Sequence, residues 1–375
     1  MKKVLFICNT YLQLINAIQI KISGFDNDHS EKYEVDLLLS DYSRNTEAVA
    51  KKLEELHMFR RVKEVKIKEY TYTQGIIRDF FDVMALNFGK NQKYRSLLWD
   101  DMIYDMIFSF QYGVLTYTIF DMNQEKNKQP ECIFYEEAIS SYADVILRNP
   151  GKRIWLTKLL RKMIPRKDMS ECYHKFYCYY PECVPAEYGL ECRQITAWSR
   201  EDQKLRDILN YIFVYIPEKH IFPQKYIYFA TSTDIDGKPV GETEIVLRIA
   251  DLVGKENLLV KMHPRDDRTI YEDNGLIVSR ESAIPWEVVQ LNHDFSGHIF
   301  ISLSSNSVLS ATAILGDDVK GFFLSPMVRG KNQEVDLELI TEMDEVVKQL
   351  HSKGKCMNIQ MVSDFDQFKE QMERI

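Results

Sequence analysis

The sequence predicts an α/β protein of two domains, each with a mainly parallel sheet, the two sheets facing across a cleft. Three observations lead there. At 375 residues the chain exceeds one ordinary core and suits two. Short apolar, β-rich runs alternate with longer helical patterns, the signature of parallel strands covered by helices. That alternation lapses in mid-chain and then resumes. The expected layout is an N-terminal α/β domain over 1–150, a basic and Cys/Tyr-rich insertion and linker over 151–222, and a C-terminal α/β domain over 223–375.

The first strand is expected at Lys3–Cys8, followed by a helix capped by Thr10, with Leu12, Ile15, Ala17 and Ile18 on its apolar face. A strand at Glu34–Leu39, a helix from about Asn45 to His57 and a strand near Val62–Ile67 come next. Later strands are read at Asp105–Phe110 and Cys132–Tyr135. No Gly-rich dinucleotide fingerprint follows the first strand, which disfavours a NAD domain. After Pro223 the expected elements are strands at Tyr226–Ala230, Asn257–Lys261, His298–Ser302 and Val319–Leu324. A helix is expected over Glu242–Leu252, another just after Ser305, and a closing helix from Asp364.

Composition narrows the function classes. A net charge of −8 argues against general nucleic-acid binding, which needs surplus Lys and Arg. No apolar run approaches the ~20 residues that span a bilayer. Met1–Cys8 reads as a strand and not as a signal peptide, so a cytoplasmic location is expected. Seven cysteines occur without a C-x-x-C pair, which favours reduced thiols over a zinc site.

Three turns carry the chemistry. In Lys261-Met-His263-Pro264-Arg265 a buried strand runs out at a histidine, and the proline bars regular continuation. Ligands of open α/β sheets bind beyond such strand ends. His263 can donate a proton or a charged hydrogen bond to a departing phosphate, with Arg265 forked onto the same anion and Lys261 near by. In the second turn Ser304, Ser305, Asn306 and Ser307 stand at a helix N-terminus, where free N–H groups and the helix dipole favour an anion. An ordinary Ser/Asn cap is the plain alternative. Both turns are expected on neighbouring strands of one sheet. The third is Glu136-Glu137-Ala138, where a carboxylate can serve as base toward an acceptor hydroxyl. Asp234, Asp236 and Glu242, after the first strand of the second half, remain rival bases.

Taken in order, these turns resemble the motifs of bacterial sialyltransferases. The opening Cys8-Asn9-Thr10-Tyr-Leu-Gln13-Leu-Ile-Asn-Ala-Ile18 is similar to the start of glycosyltransferase family 52. The resemblance implies a GT-B fold of two Rossmann-like domains, CMP-sialic acid as donor, a glycan acceptor, inversion and no metal requirement. It casts His263 as the group assisting departure of CMP, and Ser304, Ser305 and Ser307 as contacts to the donor phosphate. Ala138 departs from the glycine of the acidic motif. The run Lys152–Lys167 holds seven basic residues and no acid, so a peripheral contact with an anionic membrane bearing a lipid-linked acceptor is a further expectation, and a homodimer is left open. A UDP- or GDP-sugar enzyme of the same architecture, or an inactive glycan- or nucleotide-binding relative, is the alternative.

Overall fold

A computed structural model describes residues 1–67, 92–110, 114–137, 139–142, 169–281, 284–335 and 340–374. The basic run 152–167 and Ala138 lie outside the described residues. The chain divides into two compact units: Met1–Glu137 with the segment ending at Thr196, and residues 139–142 with Ala197 onward.

The first unit is a seven-stranded sheet in the order β3-β2-β1-β4-β5-β6-β7. Its strands are β1 (Lys2–Cys8), β2 (Tyr33–Ser40), β3 (Arg61–Val65), β4 (Met106–Ser109), β5 (Glu131–Tyr135), β6 (Tyr173–Cys178) and β7 (Glu191–Gln194). Every pairing is parallel. A parallel sheet covered on both faces needs near-continuous apolar strands. β1 supplies one, with Val4 through Cys8 all buried. Each such aliphatic or aromatic side chain contributes about 1.5–3 kcal/mol on burial. Phe6 stacks on Phe108 at 4.5 Å between centroids, joining β1 to β4 through their side chains.

The second unit carries six strands in the order β10-β9-β8-β11-β12-β13, again all parallel. They are β8 (Tyr226–Phe229), β9 (Leu258–Lys261), β10 (Ile277–Ser279), β11 (Ile299–Ser302), β12 (Lys320–Phe323) and β13 (Ile359–Met361). Counted within its unit the second sheet runs 3-2-1-4-5-6, the doubly wound order, and the first runs the same way with a seventh strand added after the sixth. Gly321 on β12 lets the neighbouring helix Ser307–Ala313 lie close: a Cβ there would sit 2.8 Å from Val308 and 2.4 Å from Ile359.

The segment expected to be an insertion and linker behaves otherwise. Its described part adds β6 and β7 to the first sheet, and Pro181 and Pro185 fall between those strands instead of at a boundary. The helix Gln203–Phe213 packs on the second unit, where Asn210 and Asn292 exchange side-chain hydrogen bonds. Arg200 pairs there with the buried Asp317.

Candidate active site

In the second unit the strand order reverses between β8 and β11, and the crevice beyond those carboxyl ends is where ligands of such sheets bind. The two anion-friendly turns follow β9 and β11. They do not end neighbouring strands, as the sequence reading had it, because β8 lies between them. Backbone bonds and one side chain tie both turns to the end of β8. Ala230 N–H donates to Lys261 O at 3.0 Å. The buried Ser302 hydroxyl donates to Phe229 O at 2.7 Å and accepts from Ser304 N–H and Ser305 N–H at 3.2 and 3.0 Å.

That last pair of bonds changes the chemistry of the serine turn. The N–H groups of Ser304 and Ser305, expected to be free for an anion, are taken by Ser302. Ser307 N–H is taken by the Ser305 hydroxyl at 3.3 Å, and Asn306 stands at the N-cap without a side-chain cap bond. The turn therefore offers half-buried hydroxyls and a helix end more than bare amides. In the sequence Ser302 reads as no more than the end of a strand. A lone hydroxyl closing an otherwise apolar strand was the available signal.

The His-Pro-Arg turn is a closed β-turn. Asp266 N–H donates to His263 O at 2.9 Å, with Pro264 at the second position, where its fixed φ fits. Arg265 N–H donates to His263 Nδ1 at 3.2 Å, so the proton of a neutral imidazole belongs on Nε2. Burial holds the His263 imidazole down at about 4, reinforced by Arg265 and opposed by Asp236 and Asp266. The expected proton-donating histidine is thus neutral at pH 7 and offers an uncharged Nε2–H. Lys261 is buried, its ammonium donating to Glu281 O at 3.0 Å, and burial lowers it to about 8. Arg265 is exposed, and its guanidinium meets Asp236 at 2.7 and 2.9 Å and the Ser232 hydroxyl at 2.9 Å.

The three acids after β8 prove unequal. Glu242 is 1% exposed, and its carboxylate accepts from Tyr228 OH, Thr231 N–H and Thr231 OH at 2.9, 2.9 and 2.7 Å. It braces the loop to the helix Glu242–Val253, and burial raises it to about 7. Asp234 accepts from Val240 N–H at 3.2 Å and lies 3.7 Å from Arg268. Asp236 feels burial, but Ser232 and Arg265 outweigh it and hold the carboxyl below its usual range. A buried brace and two engaged carboxylates make poor proton acceptors.

At the carboxyl edge of the first sheet, the opening motif and the acidic pair come together. Thr10 and Gln13 form a reciprocal cap: Thr10 Oγ1 accepts from Gln13 N–H at 3.3 Å, while Gln13 Oε1 accepts from Asn9 N–H and Thr10 N–H at 2.5 and 3.2 Å. Glu136 is buried and accepts from Tyr179 N–H at 2.8 Å, which commits it to the fold. Glu137 is half-buried. Burial pushes its carboxyl up to about 7, against a hydrogen bond with the Thr10 side chain that favours the charged form. Of the five candidate bases it is the one with both partial exposure and proton affinity near neutrality.

Comparison with known proteins gives the class. No protein-family model matches the chain, and no curated protein matches it. Solved structures do. The glycotransferase of kitacinnamycin aligns at 10% identity over 100% of this chain and 90% of its own, with a TM-score of 0.53. The UDP-GlcNAc 2-epimerase of Methanocaldococcus jannaschii, in complex with UDP-GlcNAc and UDP, aligns at 10% identity over 99% and 92%, at 0.51. The spinosyn rhamnosyltransferase complexed with thymidine diphosphate aligns at 10% identity over 100% and 91%, at 0.50. At that identity the likeness is one of fold, and it shows a two-domain α/β protein of GT-B type. It also corrects the resemblance to family 52 and its CMP-sialic acid donor. No family match carries that resemblance, and the similar structures are an epimerase of UDP-GlcNAc and sugar-transfer enzymes, one of them holding a nucleoside diphosphate.

Proposed function

We propose that this protein is a glycosyltransferase that takes its sugar from a nucleoside-diphosphate donor bound at the carboxyl edge of the second sheet. One observation carries the reading. His263 Nε2–H and the Arg265 guanidinium on one side of β8, and the Ser304 and Ser305 hydroxyls on the other, belong to turns tied to the same strand end. A diphosphate has acceptor oxygens for both sides, and Arg265 suits a forked contact with one phosphate. The fold relatives seen with UDP and thymidine diphosphate support a diphosphate over a monophosphate leaving group.

In the proposed reaction a glycan hydroxyl oxygen attacks the anomeric carbon while the bond from that carbon to the phosphate oxygen breaks. The nucleoside diphosphate departs with the bonding electrons, and the hydroxyl proton passes to a carboxylate base. A single displacement inverts the anomeric centre. His263 and the serine hydroxyls stabilise charge growing on the leaving phosphate. Such donors are worth about 2.7–4 kcal/mol each in comparable oxyanion sites. Independence from a divalent ion is part of the proposal.

Calorimetry with UDP, TDP, ADP, GDP and CMP tests the donor site. The expected result is a nucleoside diphosphate binding best, with Arg265→Gln weakening it at least tenfold. Preference for CMP, or indifference to Arg265→Gln, would overturn the assignment. The best nucleotide is then offered as its sugar conjugate. Nucleotide release that needs a glycan acceptor supports transfer; acceptor-free conversion to an epimer points to the chemistry of the epimerase relative, and absence of turnover to a binding protein.

A further inference from the structure

The guanidinium that the donor phosphate needs is already occupied. Arg265 Nη1 meets Asp236 Oδ1 at 2.7 Å, and Nη2 meets Asp236 Oδ2 at 2.9 Å and the Ser232 hydroxyl at 2.9 Å. The Ser232 hydroxyl in turn donates to Asp236 Oδ2 at 2.7 Å. Two parallel N–H···O bonds to a planar pair of oxygens are the geometry by which a guanidinium grips a phosphate. Three neighbouring acids are engaged elsewhere. Asp266 pairs with Arg268, which also lies near Asp234, and Glu242 is sealed in its brace. Asp236 alone among them holds Arg265, and it does so where both side chains are more than a third exposed.

We propose that Asp236 is a built-in competitor for the donor phosphate, seated on Arg265 in its place and displaced when the nucleotide arrives. The inference rests on the reading of Arg265 as a phosphate contact. It adds a sign that this reading lacks: removing an acidic neighbour of the site should strengthen binding. An exposed pair is weak, so exchange is easy and the penalty on binding is small. The arrangement keeps the guanidinium oriented between turnovers. Breaking the pair costs every anion the same free energy, so a ligand carrying more charge than a carboxylate is the one that binds with a surplus. A monoanion gives back about what it takes, whereas a diphosphate does not.

The test is UDP and inorganic pyrophosphate binding to wild type, Asp236→Asn and Arg265→Gln, with thermal melting to confirm that each variant is folded. The expected result is that Asp236→Asn lowers both dissociation constants about two- to fivefold, the range an exposed pair allows. Acetate, used as a monoanion probe, should gain by about the same factor, because the carboxylate must be displaced whatever anion replaces it. Raising NaCl should narrow the difference between wild type and Asp236→Asn, because the pair is screened. Weaker or unchanged binding by Asp236→Asn, with Arg265→Gln still damaging, would make Asp236 a positioning residue and overturn the competitor. Indifference to Arg265→Gln, or no binding by any form, would remove the phosphate reading itself, and the competitor with it.

Discussion

At the carboxyl edge of the first sheet Glu137 sits half-buried with its proton affinity raised, whereas at the corresponding edge of the second sheet Asp236 and Asp266 are held below the usual carboxylate range. Both sheets share the order 3-2-1-4-5-6 over their first six strands, so topology does not set this difference. Neighbours do. Burial acts to raise all three carboxyls. Beside Asp236 the Ser232 hydroxyl and the Arg265 guanidinium together outweigh it, beside Asp266 the hydrogen bonds and charge of Arg268 do, while Glu137 has the Thr10 hydroxyl against it. Adding a guanidinium to the hydrogen bonds overturns desolvation at the second edge. The first edge thereby holds a carboxyl with proton affinity near neutrality, and the second holds carboxylates kept charged beside guanidiniums.

The sharpest way to break that comparison is Glu137→Gln. General-base assistance contributes about 10²–10⁴-fold, so turnover should fall by that much. The wild-type pH profile supplies the sign. A base that titrates near 7 is protonated below that pH, so kcat/KM should rise through about pH 7 and level off above it. The variant should lose this limb. A retained limb would place the base elsewhere.

His263→Ala comes next, with an expected loss of at least about a hundredfold in kcat from removal of one leaving-group donor. Because the imidazole is already neutral, no limb in the profile between pH 5 and 8 should belong to it. Glu242→Gln tests the contrast between brace and base. Its raised carboxyl favours the fold fully below about 4.5, and that contribution is lost as pH rises through about 7. Wild-type melting temperature should therefore drop across that window more steeply than that of Glu242→Gln, with little change in turnover. A hundredfold kinetic loss would return Glu242 to the list of bases. The smallest expected effect is that of EDTA: turnover unchanged, and a loss restored by divalent metal would refute the metal-free proposal.

Much of this architecture was legible in order along the chain. β1, β2, β5, β8, β9, β11 and β12 fall within a residue or two of the expected runs, because a strand buried on both faces must be apolar throughout. β10 and β13 escaped because three residues leave no readable period. β6 and β7 escaped because Tyr, Cys and Pro between 172 and 192 mimic a linker. Of the candidate site, the turns at His263, Ser304 and Glu137 were visible as chemistry at strand ends. Ser302 was not, since its role depends on Phe229, far away in sequence and adjacent in space.

The sequence by itself determined that there are two α/β units, which strands are buried, and which turns end them, since hydrophobic period and turn residues are local properties. Tertiary structure alone decided the rest. It put β8 between the two anion-friendly turns, spent the serine-turn amides on Ser302, kept His263 neutral, and raised the proton affinity of Glu137. Strand order is set by packing between distant segments, and a side chain's charge state by what surrounds it in space.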